Sequence, residues 1–213
     1  LEEEGRLERV HGGAVLRESR DLKNTNFTDR HNIHVEQKQK IGRCAARSIE
    51  DGESILLDAS STAYYLGLAL EAKSRLRVVT NGLDVARLMA RNPTNTVILI
   101  GGILNAEGSS VTGLFSEMLI EELRIQKAFV SASGFSIERG MTEVHLQEAI
   151  LKRKVIDSAA EVIALVDSSK FGKEDLTPFA RIEDIHHLLT DDGISSAWQA
   201  NLEQAGVRTI ICR

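Results

Sequence analysis

Nearly continuous apolar runs alternate with amphipathic segments along the chain from about residue 34. The runs lack the strict polar alternation of a half-exposed strand and are typical of parallel strands covered on both faces. Between them, apolar residues recur every three or four positions, which predicts helices. The predicted strands cover residues 53–58, 76–80, 96–100, 127–131, 161–167, 186–190 and 207–212. The predicted helices cover residues 35–50, 61–72, 83–91, 116–123, 144–159 and 194–204.

The order of these segments predicts the fold class. Strands that alternate with helices form βαβ units, so we expect an α/β domain with a mostly parallel sheet and helices on both faces. Two polar stretches, 136–142 around Gly140 and 173–178, are predicted to be loops. The pattern does not reveal the order of the strands in the sheet.

Residues 1–30 lack this regularity. Residues 1–10 are highly charged, a turn signal follows at 11–14, and residues 17–30 are polar with little periodicity. We expect a linker or arm over 1–30 that leads into one domain over 31–213. The chain begins with Leu1 rather than Met, which favours a fragment of a longer protein.

Five of the predicted strands end in a short run of small or hydroxyl-bearing residues. In an open α/β sheet, ligands bind beyond the carboxyl ends of the strands. The runs at 58–62, 80–82, 101–102, 131–134 and 167–170 are therefore candidate binding loops on one edge of the sheet.

The first of these runs carries three consecutive hydroxyls, Ser60, Ser61 and Thr62, where a strand turns into a helix. Together with the amides of a helix N-terminus, these groups suit a phosphate. Plain N-capping by Ser60 or Ser61 is the alternative, and it needs only one of the three. The run is not a P-loop, and the chain contains no G-x-G-x-x-G, so nucleotide binding is disfavoured.

Two further strand ends carry weaker signals. Thr80 and Asn81 form either a simple turn or a hydrogen-bonding pair for a sugar hydroxyl. Gly101 and Gly102 either let a ligand approach the backbone closely or make a tight turn without one.

Charged residues provide the remaining candidates. Lys170 suits a phosphate as a point charge, and Asp167 could orient that lysine or a sugar hydroxyl; a solvated loop is the alternative. Glu148 and Lys152 have the i,i+4 spacing of an ordinary surface ion pair. The basic cluster 152–154 is interpreted as a solvated helix face.

Composition excludes several classes of function. The net charge of −5 and the absence of a long basic run argue against a DNA-binding surface in this part of the protein. The chain has only six Phe, two Tyr and one Trp, so a function that depends on stacking nucleic-acid bases on aromatic side chains is not expected. Cys44 and Cys212 lack a CxxC spacing and are predicted to be buried free thiols in a reducing cytoplasm. No apolar stretch reaches transmembrane length, so no membrane partner is expected.

The spacing of the residues indicates neither a metal site nor a nucleophile for covalent catalysis. The histidines at 31, 34, 145, 186 and 187 lack metal-ligand spacing, and no Ser-His-Asp arrangement or nucleophile elbow is visible. Neither a metal nor a cofactor is expected. The acids Asp58, Glu143, Glu148 and Asp167 could do acid–base work, although their spacing does not require it.

The chain resembles the effector-binding domain of the DeoR family of bacterial transcriptional regulators over nearly its whole length. Individually weak motifs occur in the family's order and at its intervals. They are Arg9-Val10-His11-Gly12-Gly13-Ala14, Phe27 with Arg30, Lys40-Ile41-Gly42 with Ala45-Ala46, Asp58-Ala59-Ser60-Ser61-Thr62, Thr80-Asn81, Gly101-Gly102, Gly140 with Thr142, Asp167-Ser168-Ser169-Lys170-Phe171 and Thr190-Asp191.

The resemblance implies a Rossmann-like sheet related to ribose-5-phosphate isomerase and CoA-transferase folds. It also implies a phosphorylated sugar effector, a homo-oligomer, and operator DNA bound by a winged helix-turn-helix that precedes Leu1, with the wing ending near residue 14. By this similarity the effector pocket is formed by Ser60, Ser61, Thr62, Thr80, Asn81, Gly101, Gly102, Ser133, Gly134 and Lys170, and the similarity extends to Glu148 and Lys152. Asp58 and Asp167, at two of the same strand ends, complete the predicted effector site. Ser60 departs from the family pattern, since many relatives have Gly there.

Three functional hypotheses follow from these observations. The first is a ligand-sensing domain of a regulator, most simply a repressor of carbohydrate catabolism genes. The second is a sugar-phosphate isomerase on the same fold, with Glu148 or Asp167 as its base. The third is an oligomerisation platform with a degenerate pocket. The motif at residues 9–14 favours the regulator, because an isolated isomerase has no use for the end of a wing.

Overall fold

The computed structural model describes residues 7–10, 13–16, 27–105 and 110–213. The strands in these ranges are β1 Leu7–Val10, β2 Gly13–Leu16, β3 Ser54–Leu57, β4 Arg77–Thr80, β5 Thr96–Leu99, β6 Ile103–Leu104, β7 Val111–Thr112, β8 Ile125–Val130, β9 Gly134–Ser136, β10 Gly140–Glu143, β11 Ala159–Leu165, β12 Thr177–Ala180, β13 His187–Asp191 and β14 Thr209–Cys212. The α-helices are α1 Phe27–Asn32, α2 Val35–Ala46, α3 Ser61–Ala69, α4 Leu83–Met89, α5 Leu114–Glu122, α6 Leu146–Ser158 and α7 Ser196–Gln204.

Seven strands form one parallel sheet in the order β14-β13-β11-β8-β3-β4-β5. The first strand of this sheet in the sequence, β3, lies in its middle, and β4 and β5 extend the sheet on one side of β3. The later strands β8, β11, β13 and β14 extend it on the other side. This is the doubly wound arrangement, and its topological switch point lies between β3 and β8. The predicted α/β class is therefore confirmed, and the structure adds the strand order.

Alternate residues of the central strands point into two separate cores, which explains their continuous apolar runs. Ile55 and Leu57 of β3 pack beneath α2, α3 and α4 on one face of the sheet. Leu56 and, on β8, Ala128 pack beneath α5, α6 and α7 on the other face. Helices thus cover both faces, as predicted.

A second, antiparallel sheet of order β12-β10-β9 corrects part of the loop predicted at 136–142 and the end of the polar stretch 173–178. Residues 137–139 and 173–176 lie outside its strands. Its residues Phe135, Met141 and Phe179 enter the same core as α6. The strands are three or four residues long, and β10 buries the polar Thr142 and Glu143. Such strands are too short, and alternate too little between apolar and polar residues, to be recognised in a sequence. The two-residue strands β6 and β7, which pair antiparallel, were not predicted either.

The predicted arm over residues 1–30 lies partly outside the described residues. Where it is described, β1 and β2 form an antiparallel hairpin with Leu7 opposite Leu16, and α1 spans residue 30. A domain boundary at residue 30 stays a prediction.

Candidate functional site

Two loops meet at the switch point of the sheet. One follows β3 and contains Ser60, and the other follows β8 and contains Ser131. The carboxylate of Asp58 joins them, because its Oδ1 accepts a hydrogen bond from the Ser60 amide at 3.1 Å and its Oδ2 accepts one from the Ser131 amide at 2.9 Å. In doubly wound sheets, ligands bind in the crevice at this position.

A cavity of about 70 Å³ lies between these loops and is rich in charged and hydroxyl-bearing side chains. Its hydroxyl groups belong to Ser60, Ser61, Thr62, Ser131 and Ser133. Its cations are Arg30, Lys38, Lys170 and Lys173, its acids are Glu143, Asp167 and Asp175, and Ile33, His34, Ala132, Val144 and His145 complete the described lining.

The first turn of α3 forms one side of the cavity. Ser60 is its N-cap, and the Ser60 Oγ accepts from the Ala63 amide at 3.0 Å. The amides of Ser61 and Thr62 have no acceptor within the helix, as is general for a first turn. This end of the helix is therefore suited to bind an anion. The predicted N-cap is confirmed, and capping uses only one of the three hydroxyls.

Four cations converge on the other side of the cavity. Burial and the neighbouring charges of Lys170 and Arg30 lower the pKa of Lys38 to about 8, although Asp167 opposes the shift. The Lys38 Nζ donates to the carbonyl oxygens of Arg30 and, at 2.7 Å, of Ile33. Burial also lowers the pKa of Lys170, and Lys173 and Arg30 contribute in the same direction. Like charges thus disfavour the protonated form of both lysines, and a bound anion would relieve this effect.

Asp167, in the cavity wall, has one carboxylate oxygen that lacks a hydrogen-bond donor in the described part of the chain. Its Oδ1 accepts from the amide of Ser169 at 3.1 Å and from the Ser169 hydroxyl, in the short 3₁₀ turn Ser168–Lys170. Its Oδ2 is buried and has no hydrogen-bond donor in the described part of the chain, while the residue is 1% exposed. A buried carboxylate oxygen without a donor is costly, so a donor supplied by a ligand would be favourable here.

A buried ionic network supports the cavity from below. The Lys152 Nζ lies 2.7 Å from Glu143 Oε2 and 3.2 Å from Asp58 Oδ2, and it donates to the Ser131 carbonyl at 2.7 Å. Burial opposes ionisation of Glu143, but Lys152 and the Ser133 hydroxyl lower its pKa to about 2. The structure thus corrects two interpretations: Lys152 is not on a solvated face, and Glu148 and Lys152 are not a surface ion pair.

Glu148 and Asn81 belong to a neighbouring cluster. Glu148 accepts from the Ser110 hydroxyl and, at 3.4 Å, from the Asn81 amide group, and burial raises its pKa. The Thr80 hydroxyl accepts from the Gly82 amide at 3.0 Å, as in the turn that was the alternative for this strand end. These residues flank the switch point and are absent from the described lining of the cavity.

The glycine candidates also lie beside the cavity. Gly101 and Gly102 are exposed, and the Gly101 carbonyl accepts from the Ser116 hydroxyl at 2.7 Å. Gly134 packs against the backbone of Lys173. Of the fourteen predicted site residues, the lining contains Ser60, Ser61, Thr62, Ser133, Asp167 and Lys170, while Asp58 and Lys152 lie directly behind it.

Sequence reasoning missed four charged residues of the lining, namely Arg30, Lys38, Lys173 and Asp175, whereas Glu143 had been considered as an acid near the site. For Lys38 a signal existed. It shares the buried face of α2 with Ile41, Gly42 and Ala45, and a lysine in such a stripe is either paired or functional. Arg30 and Lys173 come from segments without periodicity, so only the tertiary structure brings them to the site.

Within the described residues, no cluster of three or more His, Cys, Asp or Glu could hold a metal ion. In the same part of the chain, no helix is both long and apolar enough to cross a membrane. The fold and the site together define a doubly wound domain with a cavity at its switch point that is lined by cations, acids and hydroxyl groups.

Comparisons with known proteins identify the family. The family described as the DeoR C terminal sensor domain matches residues 33–192. The HTH-type transcriptional regulator GolR of Listeria innocua is 38% identical over 207 residues, which cover 97% of this chain and 81% of the relative. The HTH-type transcriptional repressor GlcR of Bacillus subtilis is 33% identical over 214 residues, with 99% and 81% covered. The chain belongs to the DeoR C-terminal sensor domain family.

Solved structures with a similar fold have much lower sequence identity. Ribose 5-phosphate isomerase A from Neisseria gonorrhoeae aligns with a TM-score of 0.46 and 14% identity, over 63% of this chain and 52% of that one. A chain of the eIF2B-beta2-delta2 complex from C. thermophilum aligns with a TM-score of 0.48 and 18% identity, over 67% and 46%.

The family assignment bears on the alternative functions. The curated relatives named above are transcriptional regulators, so the chain is the sensor domain of a DeoR-type regulator rather than an isomerase. Of the two candidate bases for an isomerase, Glu148 is held by Ser110 and Asn81 outside the described lining of the cavity.

Proposed function

We propose that this sensor domain binds a phosphorylated sugar in the cavity at the switch point and thereby controls DNA binding by a domain N-terminal to it. The observation that carries this proposal is the convergence of the first turn of α3 with Arg30, Lys38, Lys170 and Lys173 on one cavity. Helix N-terminal amides and several cations are the usual recognition elements for a phosphate.

The acids of the same cavity suit the sugar. A sugar hydroxyl donates hydrogen bonds, and the Oδ2 of Asp167, which lacks a donor in the described part of the chain, would accept one. Glu143 stays ionised near neutral pH because its pKa is about 2, so it is a second acceptor. A ligand with a phosphate at one end and hydroxyls at the other therefore matches both halves of the lining.

The biological role is inferred from the relatives. One is named as the lactose phosphotransferase system repressor of Streptococcus mutans, at 32% identity over 90% of this chain. Another is named as the L-fucose operon activator of Haemophilus influenzae, at 30% identity over 99%. We propose a cytoplasmic, homo-oligomeric regulator, most simply a repressor, of carbohydrate catabolism genes. The effector acts through different affinities for two arrangements of the oligomer.

A ligand screen tests the function directly. A panel of pentose and hexose phosphates and their unphosphorylated parents is tested by thermal shift on the 213-residue chain. A ligand at 100 times its Kd adds about 2.7 kcal/mol of stability. We expect a shift with at least one sugar phosphate and none with its parent sugar. If a parent sugar binds as tightly as its phosphate, the proposal that this cavity recognises the phosphate group is wrong. A panel without any shift would favour either an effector outside the panel or the oligomerisation platform with a degenerate pocket.

Lys170→Ala is expected to weaken binding of that sugar phosphate by roughly ten- to a hundredfold, because one charge-assisted hydrogen bond contributes roughly 1.5–3 kcal/mol. Thr62→Val is expected to act in the same direction. Titration can be followed by the fluorescence of Trp198, whose ring centroid lies 5.3 Å from that of Phe171, the residue after Lys170. Lys73→Ala is the matched control, since it removes a lysine from the loop before β4, at the amino ends of the strands and away from the cavity. Equal affinities of the Lys170 and Lys73 variants would exclude Lys170 from the site.

Binding is also expected to take up protons at pH 8. The pKa of Lys38 is about 8 in the free domain, and a bound phosphate raises it by favouring the ammonium form. Part of the population carries neutral Lys38 at this pH, so we expect net proton uptake at pH 8 that decreases as the pH is lowered to 6.5. Calorimetric titrations in two buffers of different ionisation enthalpy measure this uptake. Lys38→Met should reduce it, and unchanged uptake in this variant would assign the proton to another group, such as Lys170, whose pKa burial also lowers.

A further inference from the structure

Six large apolar side chains are exposed together where the edge strand β5 ends and α5 begins; we call this surface the α5 patch. Each of them exposes 41–75% of its area. A Cβ at Gly113, the N-cap of α5, would lie 3.7 Å from Ile103 of β6, so the short strand and the helix are adjacent. The residues of the α5 patch are Leu99, Ile103, Leu104, Leu114, Phe115 and Met118.

The size of the α5 patch matches the apolar part of a stable protein interface. Six such side chains together expose on the order of 500 Å², which is near the upper end of what a typical monomer leaves in one patch. A stable interface buries roughly 800 Å² on each partner, and about 60% of that area is apolar. The α5 patch is therefore large enough to supply the apolar part of one interface.

The edge strand β5 has backbone groups that point away from the sheet. β5 is the last strand in the sheet order, with β4 on its inner side. The Thr96 amide donates to the Leu76 carbonyl, next to β4, at 2.8 Å. Because the backbone groups of successive residues point to alternate sides of a strand, the amides and carbonyls of Val97 and Leu99 face away from β4.

The usual protection of an edge strand is missing from β5. Natural edge strands are commonly blocked by charged side chains, proline or a bulge. The sequence Thr96-Val97-Ile98-Leu99 contains neither a charge nor a proline, and its register with β4 is regular over all four residues. The strand at the other edge, β14, lies between Arg208 and Arg213. An apolar edge without such protection is available for pairing with another strand.

Phe115 lies on the flank of α5 that faces this edge. α6 contacts β8 and β11, so it lies over the middle of the sheet, and α5 packs beside it. Glu121 is on the α6 side of α5, because it pairs with Lys154 of α6. At 3.6 residues per turn, Phe115 lies roughly 120° around the helix from Glu121, on the side away from α6. It is therefore positioned to contact a chain that pairs with β5.

A second copy of this chain fits both the edge strand and the α5 patch. Two copies of one strand that are related by a two-fold axis run antiparallel, and such a contact is self-complementary. Opposite residues of an antiparallel pair can exchange both of their amide-to-carbonyl hydrogen bonds. With the axis at Ile98, Val97 of one copy would lie opposite the partner's Leu99, which satisfies the outward backbone groups of both strands.

We propose that β5 and the α5 patch form the interface of a two-fold dimer, in which two seven-stranded sheets join edge to edge through antiparallel β5 strands. This inference rests on the homo-oligomer of the proposed function and adds the location of its interface. Phe115 is the main anchor of the contact, because buried aromatic residues commonly carry much of the free energy of association.

Sedimentation velocity on the 213-residue chain without effector, over a range of concentrations, tests the interface. We expect the wild type to form a dimer or a larger assembly built from dimers. Phe115→Lys is expected to raise the dissociation constant about thirtyfold or more, because it places a charge in the centre of an apolar contact. Met118→Lys should act in the same direction.

Leu176→Lys is the matched control for these variants. Leu176 is 75% exposed, as is Phe115, but it precedes β12 and lies outside the α5 patch. Its replacement should leave association unchanged. Since the replaced side chains are exposed, all three variants should remain folded, which urea unfolding verifies. Equal association of the Phe115 variant and the wild type, or a wild type that stays monomeric at every concentration, would overturn the interface.

Amide exchange followed by NMR tests the pairing of β5 itself. In the wild-type dimer the amides of Val97 and Leu99 should exchange slowly, whereas in monomeric Phe115→Lys they should exchange fast. The Ile98 amide, which faces β4, should stay slow in both and is the internal control. Fast exchange at Val97 and Leu99 in a wild-type dimer would overturn pairing through β5.

The effector takes no part in these measurements, so this proposal and the proposed effector binding fail separately. A wild-type chain that binds a sugar phosphate but stays monomeric overturns the interface alone. A chain that dimerises through β5 but binds no member of the ligand panel supports the interface and counts against the proposed effector.

Discussion

Replacing Lys152 with Met should lower the free energy of unfolding by about 3–5 kcal/mol, the usual cost of removing one partner from a buried ion pair. The side chain of Lys152 is 8% exposed and is shared by the carboxylates of Asp58 and Glu143. Met fills a similar volume, so the loss arises from two buried carboxylates that are left without their counter-ion. The midpoint of urea unfolding measures the change.

Lys154→Met is the matched control for this prediction. Lys154 lies two residues further along α6 and pairs with Glu121, but its side chain is 39% exposed. An exposed pair of this kind contributes about 0–1 kcal/mol. If the two variants lost similar stability, the buried network would not be what holds the two switch-point loops together.

Gly140→Ala is expected to destabilise the domain by about 2–5 kcal/mol. Gly140 has a φ of 67°, and a left-handed conformation costs an L-residue about 1–2 kcal/mol. A Cβ at this position would also lie 2.1 Å from the carbonyl oxygen of Ala180 on β12. No side-chain rotation relieves a contact with backbone, so β10 and β12 would have to separate, and such overpacking costs about 1–3 kcal/mol.

Gly206→Ala isolates the backbone contribution, so its difference from Gly140→Ala measures the contact with Ala180. Gly206 has a similar φ of 75°, but a Cβ there meets no atom within 4 Å. We expect this variant to lose only the backbone part, about 1–2 kcal/mol. Equal losses in the two variants, measured by the same urea unfolding, would mean that the contact with Ala180 is relieved at little cost. Since Glu143 lies on the same strand as Gly140, weaker effector binding by folded Gly140→Ala is expected as well.

The amino-acid pattern was sufficient to predict the fold class and the edge of the sheet that carries the candidate site. Strands such as β3 and β11 are recognisable because both of their faces are buried, which leaves a continuous apolar run. Their ends are recognisable because small and hydroxyl-bearing residues follow directly. Ser60, Thr62, Asp167 and Lys170 were predicted in this way, and these four residues line one cavity.

Which of the predicted loops lie next to each other depends on the order of the strands, which only the three-dimensional structure shows. The strand order brings the loops after β3 and β8 together, whereas Gly101 lies beyond the edge strand β5, outside the described lining of the cavity. Local periodicity contains no information about strand order, because order depends on the packing of crossover helices between segments far apart in the chain.

The structure also decided the role of each charge. The sequence shows Lys152 among other charged residues of a helix, and the i,i+4 spacing to Glu148 suggested a surface pair. Burial and the convergence of Asp58 and Glu143, 94 and 9 residues away, make it the centre of an ionic network instead. Likewise, only the fold brings Arg30 and Lys38 over the first turn of α3. Sequence periodicity reports which face of an element is buried, but the partners of a buried charge are set by long-range contacts.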